Sequence, residues 1–142
     1  MSYVLDASMA LAWILKRRDS DEAALAEEAL ELLRTRGAMV PALWYPEVAN
    51  TLLLAERQHV ITVADSTNFL SRLFMWEIAQ DPVPPSLCQA KTIYLGRVYK
   101  LTAYDATYLE LALRRSAELA TFDRKLAAAA RTAGVRVFGD AR

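Results

Sequence analysis

The chain has 142 residues, so we expect a single domain over residues 1–142. Hydrophobic residues make up 54% of it, yet the longest uninterrupted apolar run, 9–15, is far too short to cross a bilayer. No basic segment followed by an apolar stretch opens the chain, so we expect no secretory signal. The 17 basic and 17 acidic residues cancel, which argues against a simple electrostatic binder of nucleic acids. Cys88 is the only cysteine, which excludes an internal disulfide and favours the cytoplasm.

Short apolar segments alternate with longer amphipathic ones. In chain order, the pattern predicts a strand at 2–5, helices at 7–16 and 19–36, a strand at 38–40, helices at 44–58 and 63–74, a strand at 76–79, helices at 86–100 and 103–116, a strand at 118–121, a helix at 123–133 and a strand at 135–138. Strands separated by helices imply right-handed crossovers. We therefore predict a three-layer α/β/α fold with a central parallel sheet.

Four carboxylates lie near the ends of these predicted elements. Asp6 directly follows the first strand, and Asp123 follows the strand that ends at Thr121. Glu47 lies in the first turn of the helix after the second strand, and Asp105 lies in the first turn of its own helix. Ligands of such folds bind beyond the carboxyl ends of the strands. The four carboxylates therefore converge if the helix of Asp105 packs across this edge of the sheet.

Each acid also has a purely structural interpretation. Asp6 suits the cap of the first helix, and acidic residues in first turns complement the helix dipole by roughly 0.3–1 kcal/mol at exposed sites. Four acids at matching ends favour a common site, where burial and repulsion raise pKa values unless a cation neutralises the group. Hard divalent ions take oxygen ligands, so a carboxylate cluster without His or Cys indicates magnesium or manganese rather than zinc.

Three polar residues accompany these acids. Asn50 lies three residues after Glu47 on the same helical face, where its side chain could hold that carboxylate by a hydrogen bond. Ser8 and Thr121 each stand two residues from a predicted ligand, where their hydroxyls could orient it or a metal-bound water. As alternatives, Ser8 caps the first helix and Thr121 simply ends its strand. The sequence leaves both interpretations open.

Four short motifs carry a resemblance to a known family. They are D-A-S at 6–8, E-V-A-N at 47–50, Y-D-A-T-Y-L-E-L-A at 104–112 and T-F-D-R-K-L at 121–126. In this order and over nearly the whole chain, they resemble the PIN domain, and more narrowly the VapC-type toxins of type II toxin–antitoxin pairs. The resemblance implies a parallel five-stranded sheet between helices. It also implies a magnesium-dependent endoribonuclease in which manganese can substitute.

The resemblance further implies which residues act and which partners bind. The implied metal ligands are Asp6, Glu47, Asp105 and Asp123. The implied catalytic set adds Ser8, Asn50 and Thr121. RNA is the implied substrate, and a cognate antitoxin protein is the implied inhibitor. Together with the apolar excess, the resemblance predicts a homodimer formed through the apolar positions of the helices at 63–74 and 87–99.

Two rival classes of protein stay open on the sequence. A haloacid-dehalogenase-type, magnesium-dependent phosphatase also places an Asp after its first strand, but it needs a second Asp where Ser8 stands. A catalytically silent binding module, such as a phospho-receiver or a degenerate nuclease, keeps the fold without the reaction. A receiver needs an acidic pair after the first strand, whereas only the single Asp6 occurs there.

The basic residues offer a path for phosphates despite the zero net charge. Without the four cluster carboxylates, the 17 basic residues outnumber the remaining acidic ones. Arg124 and Lys125 are the better candidates because they directly follow Asp123. Other basic residues could line the same path, although we interpret most of them as solvated: Arg17, Arg18, Arg34, Arg36, Arg97, Arg114 and Arg115.

Overall fold

The computed structural model describes residues 2–141 of the chain. Its strands are β1 (Tyr3–Leu5), β2 (Ala38–Val40), β3 (Ile78–Gln80) and β4 (Leu119–Ala120). Its helices are α1 (Ala7–Leu11), α2 (Ser20–Arg36), α3 (Trp44–Arg57), α4 (Val63–Phe74), α5 (Pro85–Tyr99), α6 (Ala103–Arg115) and α7 (Arg124–Thr132). In the described part of the chain, every helix except α1 begins and ends within one residue of its predicted bounds.

Local capping explains why helix bounds can be predicted from the sequence. The Asp19 side chain accepts the backbone N–H groups of Asp21 and Glu22 at 2.9 and 3.0 Å, which starts α2. The helix ends at Gly37, whose φ of +70° lies in the region that favours glycine. A Cβ at Gly37 would also lie 3.1 Å from the carbonyl oxygen of Glu77. Both ends of α2 therefore depend on residues visible in the sequence.

The sheet is parallel and has the strand order β3-β2-β1-β4. Leu5 pairs with Ala120, and the backbone N–H of Asp6 donates to the Ala120 carbonyl at 3.0 Å. The residues that follow β1 and β4 consequently emerge side by side. Successive side chains of a strand point to opposite faces, yet all three residues of β1 are fully buried. Other parts of the chain thus cover the sheet on both faces.

The prediction of five strands is wrong, because within residues 2–141 the sheet has four. The segment 135–138 makes a single parallel bridge, between Val137 and Leu119, instead of a strand. Two backbone hydrogen bonds flank this bridge, from Leu119 to Arg136 and from Phe138 to Leu119. Strand β4 is only two residues long, so it offers too few backbone groups to extend the pairing.

The predicted helix at 7–16 is also too long, since α1 ends at Leu11. Beyond it, the N–H groups of Trp13 and Ile14 bond to carbonyls three residues back, the pattern of tight turns. The indole N–H of Trp13 donates to the Ala26 carbonyl in α2 at 2.8 Å. This long-range contact turns the chain toward α2 instead of letting the helix continue.

The buried apolar residues form one cluster around β1. Tyr108 and Leu109 of α6 and Leu126 of α7 belong to it and are fully buried. The elements that carry the candidate acids are therefore anchored in the core, which fixes where those acids emerge. Among the described helices, none combines the length and the apolar character needed to span a membrane.

Candidate active site

Asp6 is the buried centre of the site, with 6% of its surface exposed. Asp6 occupies the N-cap position of α1, as the capping interpretation predicts, but its side chain makes no capping hydrogen bond to that helix. Instead, the hydroxyls of Ser8 and Thr121 both donate to Asp6 Oδ2, each at 2.6 Å. Ser8 therefore does not serve as the helix cap, and Thr121 does more than end a strand. Both hydroxyls orient the buried carboxylate.

The segment after β4 is held against the same carboxylate. The backbone N–H of Phe122 donates to Ser8 Oγ at 2.9 Å, and that of Asp123 donates to Thr121 Oγ1 at 2.9 Å. Asp123 Oδ1 accepts the backbone N–H of Leu126 at 2.8 Å and caps α7. The capping interpretation of Asp123 is thus confirmed, since its Oδ1 caps α7. Its position beside Asp6 is nevertheless set by hydrogen bonds across the sheet edge.

Glu47 is held by a residue that the sequence did not single out. The hydroxyl of Tyr108, which is fully buried, donates to Glu47 Oε1. The predicted hydrogen bond from Asn50 is wrong, because Asn50 is exposed and Tyr108 takes its place. Tyr108 lies three residues after Asp105, hence on the same face of α6. That spacing was the available signal in the sequence, but only the hydrogen bond from α6 to α3 in the folded chain shows that Tyr108 contacts Glu47.

Asp105 stands at the start of α6, where the Thr102 hydroxyl accepts its backbone N–H at 3.2 Å. Burial, together with the nearby charges of Asp123 and Asp6, raises the pKa of Asp105 from 3.8 to about 6, and the Thr102 hydroxyl and Lys125 offset only part of the increase. The helix of Asp105 therefore packs across the sheet edge, as convergence of the four acids requires.

The remaining pKa shifts connect all four carboxylates. Burial raises the pKa of Asp6, opposed by its two hydroxyl donors and reinforced by the charge of Asp123. Burial also raises the pKa of Glu47, opposed by Tyr108 and reinforced by Asp6 and Asp105. Each of these carboxylates thus lies within electrostatic range of another. The structure brings together Asp6, Glu47, Asp105 and Asp123, while Asn50 is exposed on α3.

The donor set fits a hard divalent cation. It consists of carboxylate and hydroxyl oxygens, and mutual repulsion of the carboxylates favours a positive charge between them. Within residues 2–141, no three acidic, histidine or cysteine side chains stand close enough to ligate one ion together. Magnesium suits such a site, since it keeps several waters and needs only one or two direct carboxylate ligands.

Comparison with known proteins places this arrangement in context. The family model of the PIN domain matches residues 3–132. The chain is also similar to the crystal structure of PAE2754 from Pyrobaculum aerophilum, with a TM-score of 0.68 and 22% sequence identity. That match covers 91% of this chain and 86% of the other, and it shows a shared fold. Among curated proteins, no relative matches the chain.

Proposed function

Because the chain belongs to the PIN domain family, we propose that it is a divalent-metal-dependent endoribonuclease and the toxin of a toxin–antitoxin pair. PIN domains are typically metal-dependent nucleases and usually use Mg²⁺. One observation carries the proposal for this chain. Three converging carboxylates, Asp6, Glu47 and Asp105, have raised pKa values, first because they are buried and then because neighbouring carboxylates repel them. Such repulsion is unfavourable unless the site binds a cation.

The mechanism assigns a role to each side chain. Asp6, Asp105 and Asp123 are the proposed ligands, directly or through water, with Glu47 either ligating or acting as general base. When bound, a divalent ion lowers the pKa of a water and stabilises charge on the phosphodiester oxygens. The raised pKa of Glu47 brings its basicity closer to neutral pH, which suits proton abstraction from an attacking water.

The hydroxyl groups position these carboxylates rather than react. Ser8 and Thr121 restrict the rotation of Asp6 by donating to the same oxygen, Oδ2. Tyr108 restricts Glu47 in the same way through Oε1. Oriented acceptors lower the cost of arranging the site when a cation and a phosphodiester bind.

Incubation of the purified protein with a defined RNA tests the activity. We expect internal cleavage with Mg²⁺ or Mn²⁺, none with chelator, and none for Asp105→Asn in any buffer. Release of inorganic phosphate from small phosphomonoesters without RNA cleavage would instead support a phosphatase. Metal binding without either reaction would support a silent binding module.

Growth arrest on expression of the wild type, but not of Asp105→Asn, tests the toxin role.

A cavity of about 630 Å³ suits the proposed antitoxin. Tyr104 and Thr107, which line it, flank Asp105 on α6, and Leu43, which also lines it, accepts the N–H of Glu47 at 3.2 Å. The cavity therefore lies beside the first turns of α3 and α6, which carry Glu47 and Asp105, although none of the four acids lines it. We propose that an amphipathic inhibitor segment packs there and places an Arg or Lys among the carboxylates, in competition with the metal. Inhibitor binding that is indifferent to saturating Mn²⁺ and to Asp105→Asn would contradict this mechanism.

Exposed apolar side chains support the proposed homodimer. Phe74, at the end of α4, is 92% exposed, and Met75, Leu87 and Val98 are also exposed on or next to α4 and α5. An apolar surface of this kind is typical of an interface. We expect light scattering to show a dimer at micromolar concentration and Phe74→Glu to weaken it. A wild-type monomer at that concentration would exclude the dimer.

A further inference from the structure

Arg17 lies between α1 and α2 and is held by two side chains. Its guanidinium carbon stands 4.5 Å from the centre of the Phe122 ring, a cation–π contact. Its Nη2 donates to Glu22 Oε2 at 3.3 Å, and 37% of the Arg17 side chain stays exposed. A long side chain held on two sides has already lost part of its conformational entropy. Arg17 is therefore held more firmly than a fully solvated side chain.

Phe122 connects Arg17 to the acidic site. It lies between Thr121, which donates to Asp6, and Asp123, and its own N–H donates to Ser8 Oγ at 2.9 Å. The ring that carries the guanidinium is thus attached to the same backbone segment that positions two of the acids. Phe122 also packs against the core cluster, which limits its movement. A positive group is consequently held against the segment that joins Thr121 to Asp123.

A nuclease with four clustered carboxylates must overcome repulsion of the RNA backbone next to the scissile bond. Guanidinium is well suited to this task, because it presents five N–H donors in a plane that matches phosphate oxygens. Only one Arg17 hydrogen bond is made within the described residues, to Glu22, which leaves donors that face solvent.

We propose that Arg17, positioned by Phe122 and Glu22, binds a backbone phosphate of single-stranded RNA next to the phosphate that is cleaved. This inference rests on the proposed endoribonuclease function and adds a substrate-binding residue to it. The adjacent Arg18 is a matched control. It is exposed, and in the part of the chain that the structure describes no ring or acid holds its guanidinium.

The test compares Arg17→Ala, Arg17→Lys and Arg18→Ala. On the inactive Asp105→Asn background, fluorescence anisotropy with an unstructured RNA of about a dozen nucleotides gives affinity as a function of salt. We expect Arg17→Ala to weaken binding about tenfold and to reduce the slope of log affinity against log salt by about 0.7. Arg17→Lys keeps the slope but loses affinity, and Arg18→Ala changes neither. In active protein, Arg17→Ala raises KM about tenfold with kcat within about twofold.

A substitution of Phe122, the ring that contacts Arg17, distinguishes an effect on RNA binding from an effect on folding. Phe122→Leu keeps an apolar side chain but removes the ring, so we expect weaker RNA binding and a smaller additional effect of Arg17→Ala. If wild-type protein cleaves RNA while Arg17→Ala and Arg18→Ala behave alike, the inference is wrong and the proposed function stands. A lower melting temperature for Arg17→Ala with an unchanged salt slope also contradicts it. Wild-type protein that neither binds nor cleaves RNA contradicts both.

Discussion

The molecule contains two groups of buried or half-buried acids with opposite surroundings. At the sheet edge that carries the candidate site, Asp6, Glu47 and Asp105 have raised pKa values, owing first to burial and then to neighbouring carboxylates. Near the end of β3, Asp81 and Glu110 share the guanidinium of Arg114, at 2.6 and 2.9 Å. Although burial raises the pKa of Asp81, its hydrogen bonds, those from Arg114 foremost, hold that pKa below its ordinary value.

The two groups of acids differ in what their surroundings do for the folded chain. Acids paired with arginine are satisfied in the folded chain and contribute to its structure. Acids that face each other make the folded chain less stable, so a benefit must come from what they bind. We name the first group the paired cluster, comprising Asp81, Glu110 and Arg114. The second, comprising Asp6, Glu47, Asp105 and Asp123, is the acidic site.

The largest expected difference between the two clusters is in RNA cleavage. Asp105→Asn should lower turnover by more than about a hundredfold, because it removes a charge on which metal binding depends, while the fold persists. Asp81→Asn makes the same chemical change in the paired cluster and should leave turnover within about twofold. Single-turnover cleavage assays on both variants measure this. Near-wild-type turnover for Asp105→Asn would contradict the assignment of the site.

The reverse contrast is expected for stability. Arg114→Met leaves Glu110 without its cation and Asp81 with only the longer contact to Arg115, at 3.9 Å, so we expect the unfolding free energy to fall by about 3 kcal/mol and Tm by about 10 °C. The exposed pair of Glu31 and Arg34 supplies a control, since Arg34→Met should change stability by less than about 0.5 kcal/mol. Thermal and urea denaturation measure both. Equal effects of the two substitutions would show that the paired cluster contributes no special stability.

A smaller effect is expected at the hydrogen bond that orients Glu47. Tyr108→Phe removes the donor to Glu47, which weakens its positioning and raises its pKa further, because that hydrogen bond lowers it. We expect cleavage at neutral pH to fall about tenfold. The acidic limb of the pH–rate profile should move to higher pH. A profile that keeps its position while activity falls would assign Tyr108 a packing role only.

The smallest effect is the pH dependence of stability in chelator. The pKa of Asp105 is about 6 in the folded chain and 3.8 ordinarily, so the folded state binds the proton more tightly. Lowering the pH from about 7 to 5 should therefore add about 1 kcal/mol of stability, discounted because Asp105 is only half-buried. Asp105→Asn should flatten this rise. At lower pH the contribution of Asp81, whose pKa is lowered, is lost, and stability declines again.

Much of this architecture could be predicted from local sequence. Helix α4 spans the predicted residues 63–74, because a Thr62–Asp65 capping box starts it. Alternation of strands and helices was enough to predict a parallel sheet, since right-handed crossovers leave few other arrangements. The same pattern put the four candidate acids at strand ends and in first turns. Their catalytic roles stay predictions.

Only the tertiary structure decided how these parts meet. The segment 135–138 has strand composition, but the short β4 limits it to one bridge, and the Trp13 contact with α2 ends α1 early. Tyr108 became the partner of Glu47, and Arg17 the partner of Phe122, through contacts between residues far apart in sequence. Periodicity and capping act over a few residues. Pairing and packing depend on which elements become neighbours, so those contacts appear only in the folded chain.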